Sequence, residues 1–122
     1  MTRSKFRSMH GRSNGIGFES GFEKKFLLQC YQLGIKVERS LEQVAYQDSK
    51  GIWHRYNPDF YWPDVNFTVE IKGSWAFRDN HGNVKEKFYA AMVYFKNRYT
   101  LITEKELRSD YVAKLYRSLH GN

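Results

Sequence analysis

Two carboxylates and a lysine fall within one short stretch of this chain, Tyr56 to Gly73 (YNPDFYWPDVNFTVEIKG), at a spacing that suits hydrolysis of a phosphodiester. Asp59 follows Pro58, and Glu70-Ile71-Lys72 comes at the end of an alternating run. In Phe67-Thr68-Val69-Glu70-Ile71-Lys72 the apolar Phe67, Val69 and Ile71 share one face of a predicted strand, and Thr68, Glu70 and Lys72 share the other. Asp59 and Glu70 are hard oxygen ligands of the kind that hold Mg²⁺, with Mn²⁺ as a natural substitute, and the ion's Lewis acidity serves in-line attack on phosphorus. Lys72 would stabilise the charge that develops on the phosphate or hold the attacking water. The competing reading makes Asp59 the end of a turn after Pro58, with Glu70 and Lys72 decorating a solvated strand. Energetics favour the site. Two carboxylates about 4 Å apart repel by roughly 4 kcal/mol at an effective dielectric near 20, a large share of ordinary domain stability. A bound cation and Lys72 would compensate it, and without metal at least one carboxylate should have a raised pKa.

The elements that must hold these groups can be read from periodicity. From Ser20 the pattern is helical, with Phe22, Phe26, Cys30 and Leu33 on one stripe, Leu27 beside it, and Gly34 at the C′ position. Glu23 borders that stripe. It either closes a capping box with Ser20 or points across to Asp59 and Glu70 as a third acidic group. Ile35 to Glu38 and Leu41 to Gln47 read as a strand or bent strand, Asp48-Ser49-Lys50-Gly51 as a tight turn, and Ile52 to Tyr56 as the returning strand. A turn over Trp62 to Asn66 leads into the strand Phe67 to Lys72. Val84, Phe88, Ala91, Met92 and Phe95 mark a second helix ending near Asn97, Tyr99 to Thr103 a short strand, and Thr103-Glu104-Lys105-Glu106 a capping box that opens a third helix. The predicted order is αβββαβ with a C-terminal helix: a small mixed α/β sheet flanked by helices.

With 122 residues the chain is read as one domain over 18–122, preceded by a flexible basic arm over 1–17. Arg3, Lys5, Arg7 and Arg12 would follow DNA phosphates, although a merely solubilising terminus has the same composition. Lys85 and Lys87, opening the second helix, are either its solvated face or a phosphate contact. Lys+Arg 20 against Asp+Glu 13 gives a formal charge of +7, which favours a polyanionic partner, and nucleic acid above others. The single cysteine, Cys30, excludes an intrachain disulfide framework and a cysteine-based zinc site. There is no run of roughly 20 apolar residues to cross a membrane and no signal-sequence core, so the cytoplasm is the expected compartment.

In this order, Ser20-Gly21-Phe22-Glu23, Gly34-Ile35-Lys36, Tyr56-Asn57-Pro58-Asp59-Phe60 and Val69-Glu70-Ile71-Lys72-Gly73-Ser74-Trp75 resemble the PD-(D/E)XK nuclease superfamily. Within it, they are most similar to the phage endonuclease I family of Holliday-junction resolvases. The likeness runs from about residue 18 to 76; beyond it only the helix-then-strand order is shared. The resemblance implies a restriction-endonuclease-like core and a Mg²⁺-dependent enzyme that cuts four-way DNA junctions. It also implies a homodimer that exchanges strand segments, of phage origin and acting in the host cytoplasm. It assigns Asp59, Glu70 and the carbonyl of Ile71 as metal ligands, Glu23 as the additional acid and Lys72 as the catalytic lysine. Two other functions remain open to the same residues: a sequence-specific or nicking nuclease of homing, restriction or mismatch type, and a DNA-binding module whose motif no longer cuts.

Overall fold

The computed structural model describes residues 11–13, 16–18 and 20–121, the first six through their backbone only. β1 (Gly11–Ser13) and β2 (Ile16–Phe18) pair as a short antiparallel hairpin. Then come α1 (Gly21–Gln32), β3 (Glu38–Arg39), β4 (Val44–Gln47), β5 (Trp53–Tyr56), β6 (Phe60–Trp62) and β7 (Phe67–Ile71). After β7 follow α2 (Ser74–Arg78), a 3₁₀ turn at His81–Asn83, α3 (Val84–Phe95), β8 (Tyr99–Ile102), α4 (Glu104–Leu107) and α5 (Tyr111–His120). Among the described residues this is a small mixed α/β fold. It has five α-helices and a four-stranded mixed sheet in the order β3-β6-β7-β8, with β4 and β5 forming a hairpin outside that sheet. No helix among them is long and apolar enough to cross a membrane.

β7 is an inner strand, antiparallel to β6 and parallel to β8, and the parallel pairing requires the helical crossover through α3. One of its faces packs Phe67, Val69 and Ile71 into a core with Phe26, Leu27 and Cys30 of α1 and Phe60 and Trp62 of β6. Trp62 stacks on Phe26 and Phe67, and Tyr116 of α5 meets it edge-on. The other face is also covered. Thr68 and Glu70 are each only 2% exposed, under a second cluster built from Val44 of β4, Ala91 and Phe95 of α3, and Tyr99 of β8. The alternation in β7 therefore separates an apolar core from a buried polar layer; the face carrying Glu70 is not a solvated one.

Several expected elements hold. Gly34 takes φ +73° beyond α1, the hairpin turn closes at Asp48–Gly51 with Gly51 at φ +82°, and Thr103 and Glu106 form a capping box. Asp48 stiffens that turn by accepting the N–H groups of Lys50 and Ile52. Others need correction. Five strands, not three, separate the first two long helices, because the predicted bent strand is two, β3 and β4, and Phe60-Tyr61-Trp62 between two prolines is itself a strand. Ile35 and Val37 are buried, but pairing begins only at Glu38, and with β6 rather than the hairpin. The last helix is two. Ser109 Oγ donates to the Glu106 carbonyl and accepts the Tyr111 N–H, local bonds that break the helical ladder. In the basic arm, the described residues 11–13 and 16–17 belong to a hairpin lying beside α1, with Arg12 opposite Gly17, instead of unstructured chain. Arg3, Lys5 and Arg7 lie outside the described residues.

Candidate active site

Strand register places the two acids side by side. Phe60 opposes Val69 and Tyr61 opposes Thr68, so the position before β6 brings Asp59 across from Glu70. Since side chains alternate, both acids lie on the face opposite Phe60 and Val69. Asp59 Oδ2 accepts the Ile71 N–H at 2.8 Å, tying the carboxylate to the end of β7, and Pro58 is buried just before it.

Glu70 Oε1 accepts the hydroxyls of Tyr56 at 2.8 Å and Tyr99 at 2.6 Å. Among the described residues no basic side chain comes within ion-pair distance of it. Burial, and after it the charge of Asp59, pushes the Glu70 pKa up to about 7, against the opposing pull of Tyr99, Lys72 and Tyr56. The raised carboxylate that two neighbouring acids lead one to expect is present, with desolvation as its larger cause. Both phenols are pushed well above the usual tyrosine range, by burial first and Glu70 second, so they remain neutral donors.

Lys72 follows β7, half-buried, and its N–H donates to the Ile102 carbonyl at 3.0 Å. Gly73 must be small here. A Cβ would lie 2.8 Å from the Trp75 ring and 3.0 Å from Phe22, so the chain turns into α2 against these rings. Lys87, in the first turns of α3, is half-buried with its Nζ 5.4 Å from the Tyr56 ring centre and 5.7 Å from that of Tyr46. Burial and then the charge of Lys72 lower its pKa, while Glu70 and Asp59 act in the opposite sense. Its ammonium thus lies beside the tyrosine that bonds Glu70, and the side chain is half-buried instead of fully solvated. Lys85 is half-buried at the helix start, where its N–H donates to Asn80 Oδ1.

Glu23 is held differently. Ser20 Oγ accepts its N–H at 3.1 Å, which caps α1, and its carboxylate meets Arg39 Nη2 at 3.1 Å. Arg39 also donates from Nη1 to the Asp59 carbonyl at 3.2 Å and lies over the Phe60 ring at 4.6 Å. Glu23 thus reaches the site through Arg39 and the backbone of Asp59. Among the described residues no three His, Cys, Asp or Glu side chains are grouped so as to hold a metal ion, so the structure brings together a carboxylate pair. That pair still fits Mg²⁺, which keeps several waters and is commonly bound through one or two carboxylates together with substrate phosphate. The raised pKa of Glu70 marks charge that a cation would neutralise.

Tyr56, Tyr99 and Arg39 have no individual signal in the sequence. Tyr56 stands three residues before Asp59, inside the motif that identifies the acid, while Tyr99 and Arg39 are brought in only by pairing of distant strands. Lys87 was already a candidate phosphate contact, and its place one turn before the buried Ala91 agrees with a position at the edge of the packed face.

Comparison with known proteins returned no match: no family model, no curated protein and no solved structure matches this chain.

Proposed function

We propose that this protein is a divalent-metal-dependent DNA endonuclease of the PD-(D/E)XK type, acting as a homodimer on branched DNA such as four-way junctions. The observation that carries the reading is the cross-strand placement of Asp59 beside Glu70, two residues before Lys72, with Glu70 buried and, among the described residues, without a basic side chain at ion-pair distance. The formal charge of +7 supports a nucleic-acid substrate, and the preference for junctions rests on the resemblance of residues 18–76 to the endonuclease I family.

Asp59 and Glu70, with the Ile71 carbonyl, would hold Mg²⁺ or Mn²⁺, which when bound supplies Lewis acidity and a more acidic water. In the hydrolysis, a water oxygen adds to phosphorus and loses a proton, the bridging P–O bond breaks, and the leaving oxygen takes up a proton. Lys72 stabilises negative charge on the phosphate. Tyr56 and Tyr99 hold Glu70 Oε1, so the carboxylate is oriented before any substrate arrives. The Ile71 N–H does the same for Asp59.

The test is gel cleavage of a labelled four-way junction beside a linear duplex of the same sequence, with Mg²⁺ and with EDTA, for wild type and Asp59→Asn. Metal-dependent cutting of the junction alone, lost in the variant, supports the resolvase reading. Equal cutting of both substrates keeps the chemistry and removes the junction preference, and no cutting of either counts against an active nuclease.

A further inference from the structure

We propose that Lys87 is a second catalytic cation, which with Lys72 forms a two-lysine cradle for the phosphate being cut. This inference rests on the nuclease reading and adds a residue to it from outside the strand motif. Lys87 comes from α3, yet Tyr56 ties it to the acids. The Tyr56 hydroxyl donates to Glu70 Oε1 at 2.8 Å and lies 3.2 Å from the Lys87 carbonyl, while the face of its ring carries the Lys87 ammonium. Tyr46 of the β4–β5 hairpin supplies the second ring. The ammonium is thereby held at the site by two aromatic faces, which attract a cation without neutralising it.

Charge is what makes this a binding arrangement. Among the described residues, neither Lys72 nor Lys87 has a carboxylate within ion-pair distance. Lys72 follows Glu70 by two residues, and Lys87 is tied to the same Glu70 through the Tyr56 ring and hydroxyl, so one carboxylate links the two lysines. Two cations that lack an ion-pair partner among the described residues, set beside a carboxylate pair, suit an anionic ligand, and a phosphodiester has two non-bridging oxygens to receive them. Negative charge grows on those oxygens as water adds, so a fixed ammonium contributes more to the transition state than to the bound substrate.

The competing explanation is that Lys87 only packs over two tyrosines. Lys87→Met keeps the apolar stem and removes the charge, so it separates the two. Single-turnover cleavage in Mg²⁺, DNA affinity in EDTA and thermal melting are measured for wild type, Lys87→Met, Lys87→Arg and Asp59→Asn. The expected result is a rate about 10²-fold lower for Lys87→Met, affinity within about tenfold of wild type, unchanged melting, and recovery of most of the rate in Lys87→Arg. A Lys87→Met protein that cuts at the wild-type rate overturns the assignment alone. A rate loss matched by an equal loss of melting stability and unrelieved in Lys87→Arg also overturns it, in favour of packing. Failure of the nuclease reading looks different: wild type and Asp59→Asn would be equally inert on every DNA tested, and both conclusions would fall.

Discussion

Glu23 and Glu70 are both buried carboxylates, 6% and 2% exposed, and the fold compensates them in opposite ways. At the α1 and β3 edge, Glu23 meets a guanidinium at 3.1 Å, so its charge is answered within the chain. At the centre of the sheet, Glu70 has two neutral hydroxyls and a neighbouring acid, and its proton is held up to about pH 7. A buried carboxylate with a cation of its own is what a structural contact requires. One left without its cation is tolerated where a ligand brings the charge. The difference separates an internally paired acid, Glu23–Arg39, from the candidate site, Asp59–Glu70.

The largest effect that would sharpen this contrast is on activity. Asp59→Asn and Glu70→Gln should each lower single-turnover cleavage by at least about 10³-fold, with circular dichroism unchanged, whereas Glu23→Gln should stay within about tenfold of wild type. Equal loss in all three variants would break the distinction and restore Glu23 as a third acid of the site.

Stability should respond with the opposite sign. Glu70 keeps its proton to about pH 7 when folded, against 4.5 as its ordinary value, so the folded chain binds more protons between those limits. Metal-free stability should therefore fall as pH rises from about 4.5 to about 7, by up to about 3 kcal/mol, and remain low above it. In urea melts without metal, Glu70→Gln should be more stable than wild type at pH 8 and similar to it below pH 4.5. Millimolar Mg²⁺ should raise the wild-type melting temperature at pH 8 and leave that of Glu70→Gln nearly unchanged.

Smaller effects test the supports. Tyr99→Phe removes one donor to the ionised Glu70 and should cost about 2 kcal/mol at pH 8, less at pH 5 where the acid is protonated. Glu23→Gln should cost about 1 kcal/mol in the same melts, since Arg39 is about a third exposed and its pairing is screened.

The placement of the candidate acids and the local turns was legible in the sequence where it depends on neighbouring residues. Pro58-Asp59, the alternation before Glu70 and Lys72, the Asp48–Gly51 turn and the Thr103 cap each depend on residues a few positions apart. The environment of Glu70 was not legible. Tyr99 and Lys87 reach it through the parallel crossover, and the second apolar layer over Thr68 and Glu70 comes from α3 and the β4–β5 hairpin. A strand buried on both faces still alternates when one buried face is polar, so periodicity alone could not tell a buried polar face from a solvated one. β6 was hidden because its three residues lie between two prolines, where turn signals dominate. Arg39, the partner that sets Glu23 apart from Glu70, has nothing in its neighbouring residues to mark it.

The most direct measurement is calorimetric titration of Mn²⁺ into the metal-free protein at pH 7.5, for wild type, Asp59→Asn, Glu70→Gln and Glu23→Gln. If Asp59 and Glu70 form the cation site and Glu23 is its brace, wild type and Glu23→Gln bind with similar heats, and Asp59→Asn and Glu70→Gln bind far more weakly. Undiminished binding in Asp59→Asn, or binding abolished in Glu23→Gln, would contradict it.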